Sequence, residues 1–140
     1  MFCFSVPCPR GWLQGINRSC YRFSNNKLGW DSAKSTCESL GSKLAVVNTP
    51  DEQQALAPYL AERTWIGLHR DPGDKARWLW VDGSSPNYTN WAEEEPNKAR
   101  GTENCVEMSP PSLSPAGKWN GSRCNNSLPY VCEISGESMH

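Results

Sequence analysis

The sequence predicts a single α+β domain held by disulfide bonds, and three observations lead there. Two helical segments lie in the first half of the chain, one marked by helical spacing of apolar residues and one by a helix-start signal. The second half reads as short apolar runs separated by Gly, Pro and Asp turn signals, the pattern of an antiparallel sheet. Seven cysteines are spread over 140 residues, and none has the C-x-x-C spacing of a zinc or redox site. A chain of that length buries a sizeable core as one domain. The formal net charge of -1 gives no general pull toward nucleic acid or anionic membrane. No apolar run approaches the roughly 18 residues of a membrane-crossing helix. Wide cysteine spacings point to structural disulfides in an oxidising compartment, hence a secreted or extracellular protein. Sequons at Asn17, Asn87, Asn120 and Asn125 agree with that.

Taken in order, residues 1–7 read as an N-terminal tail. Cys8 and Cys20 bracket a Gly15-Ile16-Asn17 turn signal, which predicts a short hairpin. Residues 30–40 place Trp30, Ala33, Cys37 and Leu40 on one helical face, with Gly41 as a C-terminal stop. Residues 43–48 form an apolar run with paired valines, expected as a buried strand. Thr49-Pro50-Asp51-Glu52 is a helix start: Thr49 caps, Pro50 takes the first helical position and Glu52 completes a capping box. That helix is expected to reach about Leu60, with Pro58 ending or kinking it early. Trp65-Ile66-Gly67-Leu68 and Arg77-Trp78-Leu79-Trp80-Val81 flank an Asp71-Pro72-Gly73-Asp74 turn and predict a strand pair. Residues 83–104 carry little periodicity, and so long a loop within a compact domain is usually functional. Residues 106–108 and 118–119 are expected to pair as strands on either side of a Pro/Ser-rich insert, residues 109–117. Pro129-Tyr130-Val131-Cys132-Glu133 closes the domain, and residues 134–140 read as a tail.

The residues with the most chemistry lie between positions 91 and 119. They are Trp91-Ala92-Glu93-Glu94-Glu95-Pro96-Asn97, Glu103-Asn104-Cys105 and Trp119-Asn120. Carboxylate and amide oxygens without a histidine or thiol partner suit a hard cation such as calcium. Catalysis finds no support. His69 is the only histidine outside the tail, and no Ser/His/Asp or Cys/His constellation is spelled out, so the chain is not expected to be an enzyme. The tryptophans at 65, 78, 80, 91 and 119 follow the strand pattern and are expected to pack the core.

With these residues in place the chain resembles a C-type lectin-like domain. The matching residues are Cys8, Cys20, Cys37, Trp65-Ile66-Gly67-Leu68, Trp78, Trp80, Asn90-Trp91, Glu95-Pro96-Asn97, Glu103-Asn104-Cys105, Trp119-Asn120, Cys124 and Tyr130-Val131-Cys132-Glu133. They span residues 8–133, which the resemblance makes the domain. It implies a double-loop α+β fold with two helices, two small antiparallel sheets and a long functional loop. Six cysteines allow fifteen pairings, and the resemblance implies Cys8–Cys20, Cys37–Cys132 and Cys105–Cys124. Cys3 is left over and would be available to bridge two copies as a homodimer.

The resemblance also implies one Ca2+ site formed by Glu95, Asn97, Glu103 and Asn120, with a cis bond before Pro96. The same four residues would bind sugar. The Glu-Pro-Asn order is similar to that of members binding mannose, glucose, N-acetylglucosamine or fucose through neighbouring equatorial hydroxyls. Two departures matter. Where the family has Trp-Asn-Asp, this chain has Trp119-Asn120-Gly121, which removes one carboxylate from the site. Of the acidic residues at a second, structural calcium site Asp71 matches, while Lys75, Lys98 and Asn104 stand at the others. The competing expectation is therefore a calcium-independent module on the same fold, binding a protein or another ligand. Neither reading calls for nucleic acid or membrane insertion.

Overall fold

A computed structural model describes residues 8–96 and 102–135. Asn97, Lys98 and Cys3, named above, lie outside the described residues. The order is β1 (Leu13–Gln14), β2 (Cys20–Phe23), α1 (Trp30–Ser39), β3 (Lys43–Leu44), α2 (Pro50–Leu56), β4 (Thr64–Asp71), β5 (Asp74–Trp80), β6 (Cys105–Met108), β7 (Trp119–Ser122) and β8 (Val131–Ile134). The strands form two antiparallel sheets, ordered β1-β2-β8-β3 and β5-β4-β6-β7.

The helices start where the sequence places them. Thr49 Oγ1 accepts from the Glu52 amide at 3.0 Å, and Glu52 Oε1 accepts from the Asn48 amide. Helix α2 gives way at Leu56 to one turn of 3-10 helix over Ala57–Tyr59, because Pro58 has no amide to continue the ladder. In α1 the buried face is Trp30, Ala33 and Cys37. Leu40, expected on that face, lies past the last helical turn and is 42% exposed.

Only Lys43 and Leu44 of the predicted 43–48 strand pair as a ladder. Ala45, Val46 and Val47 are still buried, and their neighbours change partner. The Ala45 amide donates to the Val131 carbonyl, its carbonyl accepts from Gly67, and the Val46 amide donates to the Glu133 carboxylate. At Gly67 the strands approach so closely that a Cβ would lie 2.9 Å from the Leu44 carbonyl oxygen. Only glycine fits that contact, and there the two sheets meet. Ile134, read with the tail, pairs with Cys20 as the last residue of β8.

Three disulfides join Cys8 to Cys20, Cys37 to Cys132 and Cys105 to Cys124, the pairing the resemblance implies. The second ties α1 to β8. The interior has two parts: Trp80, Trp119, Ile66, Leu68, Val106 and Met108 between α2 and the second sheet, and Trp30, Trp65, Leu44 and Tyr130 around the Cys37–Cys132 bridge. Trp65, Trp80 and Trp119 are fully buried, whereas Trp78 and Trp91 pack against the core from its edge.

Candidate functional site

The site is assembled from three segments that meet at β7. The Trp91 segment is held to this strand first. The Trp119 amide donates to the Asn90 carbonyl and the Ala92 amide to the Trp119 carbonyl, both at 2.9 Å. The chain then turns. The Glu95 amide donates to the Ala92 carbonyl, Glu94 adopts a left-handed φ of 68°, and the Glu95–Pro96 bond is cis. The turn brings Glu95 back over β7, where its Oε1 accepts from the Gly121 amide at 2.9 Å.

Glu103 arrives from the other side. Its carbonyl accepts from Arg70 Nε at 3.2 Å, and the carbonyl of Asn104 accepts from the Arg70 amide at 2.8 Å. Cys105 then starts β6 and is bonded to Cys124 just past β7. A Cβ built on Gly121 would lie 3.4 Å from Glu95 Oε1 and 3.6 Å from the Glu103 Cβ. Glu95 and Glu103 therefore converge on the position that lacks a side chain. Asn120, one residue earlier, sits opposite Glu107 in the ladder, and its Nδ2 donates to Ser109 Oγ at 3.2 Å. That bond fixes the amide nitrogen and leaves the oxygen as the atom Asn120 would offer a cation.

Of the four predicted residues, three are brought to one strand, and Asn97 lies outside the described residues. The donors are oxygens of carboxylate and amide type, the set that calcium takes. The match is in kind; among the described residues no group of three or more His, Cys, Asp or Glu side chains is arranged to hold a metal.

Two residues of this neighbourhood were not singled out by sequence. Glu107 is buried in β6 with Arg63 Nη1 at 4.0 Å. Burial pushes its carboxyl up, Arg63 pulls it down, and the charges of Glu95 and Glu103 push it further up. It thus feels the negative field of the candidate ligands. Its signal was a carboxylate between Val106 and Met108 in an otherwise apolar strand. The other is Arg70, 6% exposed; an arginine placed to be buried after a strand of apolar residues is its signal.

His69 packs against Trp30 with ring centroids 4.8 Å apart, and its Nδ1 lies 3.0 Å from the Arg70 carbonyl oxygen. Burial lowers its pKa, opposed first by that carbonyl. Asp71, the one acidic match to a second ion site, uses Oδ1 to accept from the Gly73 amide in its own turn.

The fold and these segments define a disulfide-stapled α+β module with the Glu95 turn and the Glu103 segment laid against one sheet. The family model for the lectin C-type domain matches residues 26–134, and the chain belongs to that family, whose members are non-enzymatic binding modules. It is 37% identical over 132 residues to mouse CD209 antigen-like protein D, an alignment taking in 91% of this chain and 52% of that protein. The chain thus spans about half the length of that relative. Among solved structures it resembles the cow C-type carbohydrate-recognition domain of CD23, determined in the presence of a GlcNAc2Man3 oligosaccharide, with 34% identity, TM-score 0.81, and coverage of 92% of this chain and 96% of that one. It is equally close in fold to a calcium-independent type II antifreeze protein: TM-score 0.82, 26% identity, and coverage of 92% and 95%.

Proposed function

We propose that this domain is a calcium-assisted sugar-binding lectin, with Glu95, Asn97, Glu103 and Asn120 serving both ion and sugar. One observation carries the reading: Glu95 and Glu103, from segments separated in sequence, converge on β7 at Gly121. Calcium, when bound, would supply coordination for two neighbouring sugar hydroxyls. The chain's own residues would do the rest. Glu95 and Glu103 would accept hydrogen bonds from the sugar hydroxyls. Asn97 and Asn120 donate amide protons, Asn120 through the N–H not committed to Ser109. The Glu95-Pro96-Asn97 order assigns the mannose, glucose, N-acetylglucosamine and fucose class, and the CD23 structure with a mannose-containing oligosaccharide supports it.

A second reading, a calcium-independent module for a protein or other ligand, is favoured by Gly121, which offers a carbonyl where the family has a carboxylate. The likeness to a calcium-independent antifreeze protein supports it. Calorimetric titration with calcium, with and without a mannose-type sugar, separates the two. Heat of calcium binding, with sugar heat appearing only in its presence, is expected. Absence of both at millimolar calcium would move the assignment to the second reading.

Three disulfides support placement in a secreted or extracellular setting; among the described residues no helix is long and apolar enough to cross a membrane. We take the binding unit to run from Cys8 to the end of β8, with flanking segments on both sides. Cys3, outside the three-disulfide scheme, is assigned a bridge between two copies. Electrophoresis with and without reductant, comparing the chain with Cys3→Ser, tests this; a species of double mass lost on reduction and in the variant is expected.

A further inference from the structure

A buried arginine stays charged, so its guanidinium must be surrounded by acceptors or π faces. Arg70 meets this condition in a particular way. Its Nε donates to the Glu103 carbonyl at 3.2 Å and its Nη1 to the Lys75 carbonyl at 3.0 Å. Its guanidinium carbon stands 4.4 Å from the centroid of the Trp78 ring. The Trp78 ring is 5.1 Å from that of Trp91, and Trp91 is 5.9 Å from Trp119. Trp91 opens the turn that carries Glu95, and Glu103 is the other residue that converges on Gly121.

Arg70 therefore touches the Glu103 half of the candidate site directly and reaches the Glu95 half through Trp78 and Trp91, without being a ligand. We propose that Arg70 is its positioning residue, an internal cation that braces Glu103 through its carbonyl and the Glu95 turn through the tilted Trp78–Trp91 ring contact. The planar fork can bond two carbonyls while its face lies on an indole. An ammonium offers no such plane. The guanidinium also joins the Lys75 and Glu103 segments, which hold the positions where the resemblance would place a structural ion. The chain's own cation links them, and ordering of the Glu103 segment requires no second metal. As a role in ligand affinity this rests on the proposed calcium and sugar site; as a role in shaping the loop it does not.

The test uses Arg70→Met, which keeps the apolar stem and removes the fork, and Arg70→Lys, which keeps the charge alone. Amide hydrogen exchange is measured in chelator, without calcium. The reporters are the Gly121 amide, bonded to Glu95 Oε1, and the Glu95 amide, bonded to Ala92. Arg70→Met should accelerate both by about tenfold or more while leaving β2 and β8 unchanged, and Arg70→Lys should show the same pattern at smaller amplitude. Calcium affinity should fall about 10–100-fold in Arg70→Met, as when a partner behind a metal ligand is lost. Unchanged exchange at Gly121 and Glu95, or a rise shared equally by β2 and β8, overturns the proposal. Should Arg70→Met not fold, Arg70→Lys alone decides by the same pattern. If the unaltered protein binds no calcium, the proposed function fails while the exchange result still judges Arg70.

Discussion

Gly121 is the residue on which the site turns. Its backbone is extended within β7, and the space beyond its α-carbon accepts a Cβ at ordinary contact distances. Gly121→Asp should therefore fit. A third carboxylate beside Glu95 and Glu103 would repel them without a cation and hold one when present. We expect about tenfold tighter calcium binding by calorimetry. In chelator the same variant should lose on the order of 1 kcal/mol of stability by denaturant unfolding. No gain in affinity would mean that the loop does not build the family's ion site. Glu133 is a second residue with a measurable signature. It is 4% exposed, accepting from the Val46 amide at 2.9 Å and from Ser19 Oγ at 3.4 Å. Burial outweighs those bonds and the Lys43 charge and pushes its carboxyl up to about 6 from the usual 4.5. The folded protein holds this proton more tightly than the unfolded chain. Glu133 thus contributes stability below about pH 4.5 that is lost as pH rises through about 6, on the order of 2 kcal/mol. Subtracting the stability-versus-pH curve of Glu133→Gln, measured without divalent ions, should isolate a fall confined to that window.

Among the elements, α2 is tied to the strand that carries the site by one side chain. Gln53 is buried; its Oε1 accepts from Trp119 Nε1 at 2.9 Å and its Nε2 donates to the Gly117 carbonyl at 2.7 Å. Gln53→Ala strands the Trp119 indole N–H in the interior, while the Gly117 carbonyl keeps its bond from Asn90 Nδ2 at 3.0 Å; the expected cost is about 1–3 kcal/mol in unfolding measurements. Because Trp119 precedes Asn120, the same change should weaken calcium or sugar binding beyond what Thr49→Ala does, a cap loss of about 1 kcal/mol at the N-terminus of the same helix. This link illustrates what the sequence could and could not tell. The helix start at Thr49-Pro50-Asp51-Glu52 was legible because capping is local chemistry. The bond from Gln53 to Trp119 was not, since a glutamine in an amphipathic helix gives no sign of a partner 66 residues away. Residues 45–47 failed as a ladder for a related reason: burial was legible, but partners drawn from β4, β8 and a carboxylate were not. Arg70 and Glu107 share that fate, as charged residues whose partners only the tertiary structure supplies.

At the scale of the whole molecule the disulfides divide the work unequally. Cys37–Cys132 spans 95 residues and Cys8–Cys20 spans 12. Loop-entropy reasoning assigns the first about 4.5 kcal/mol and the second about 3. Replacing both cysteines of a pair by alanine should lower unfolding stability more for Cys37 and Cys132, and a larger loss for the short bridge would show that strain or residual structure dominates. The overall fold was legible because the cysteines, tryptophans and the Glu-Pro-Asn motif occur in a fixed order along nearly the whole chain. The candidate site was legible as a set of oxygen-bearing residues, and its geometry was not, since convergence on Gly121 depends on how two distant turns are anchored.

The bond from the Gly121 amide to Glu95 has a kinetic consequence. A carboxylate already tethered to a strand has little freedom left to surrender when an ion arrives. Capture would then be governed by how fast the ion sheds water and not by how fast a loop closes. Sugar exchange would follow the ion's residence time, with Glu95 already in place beneath both.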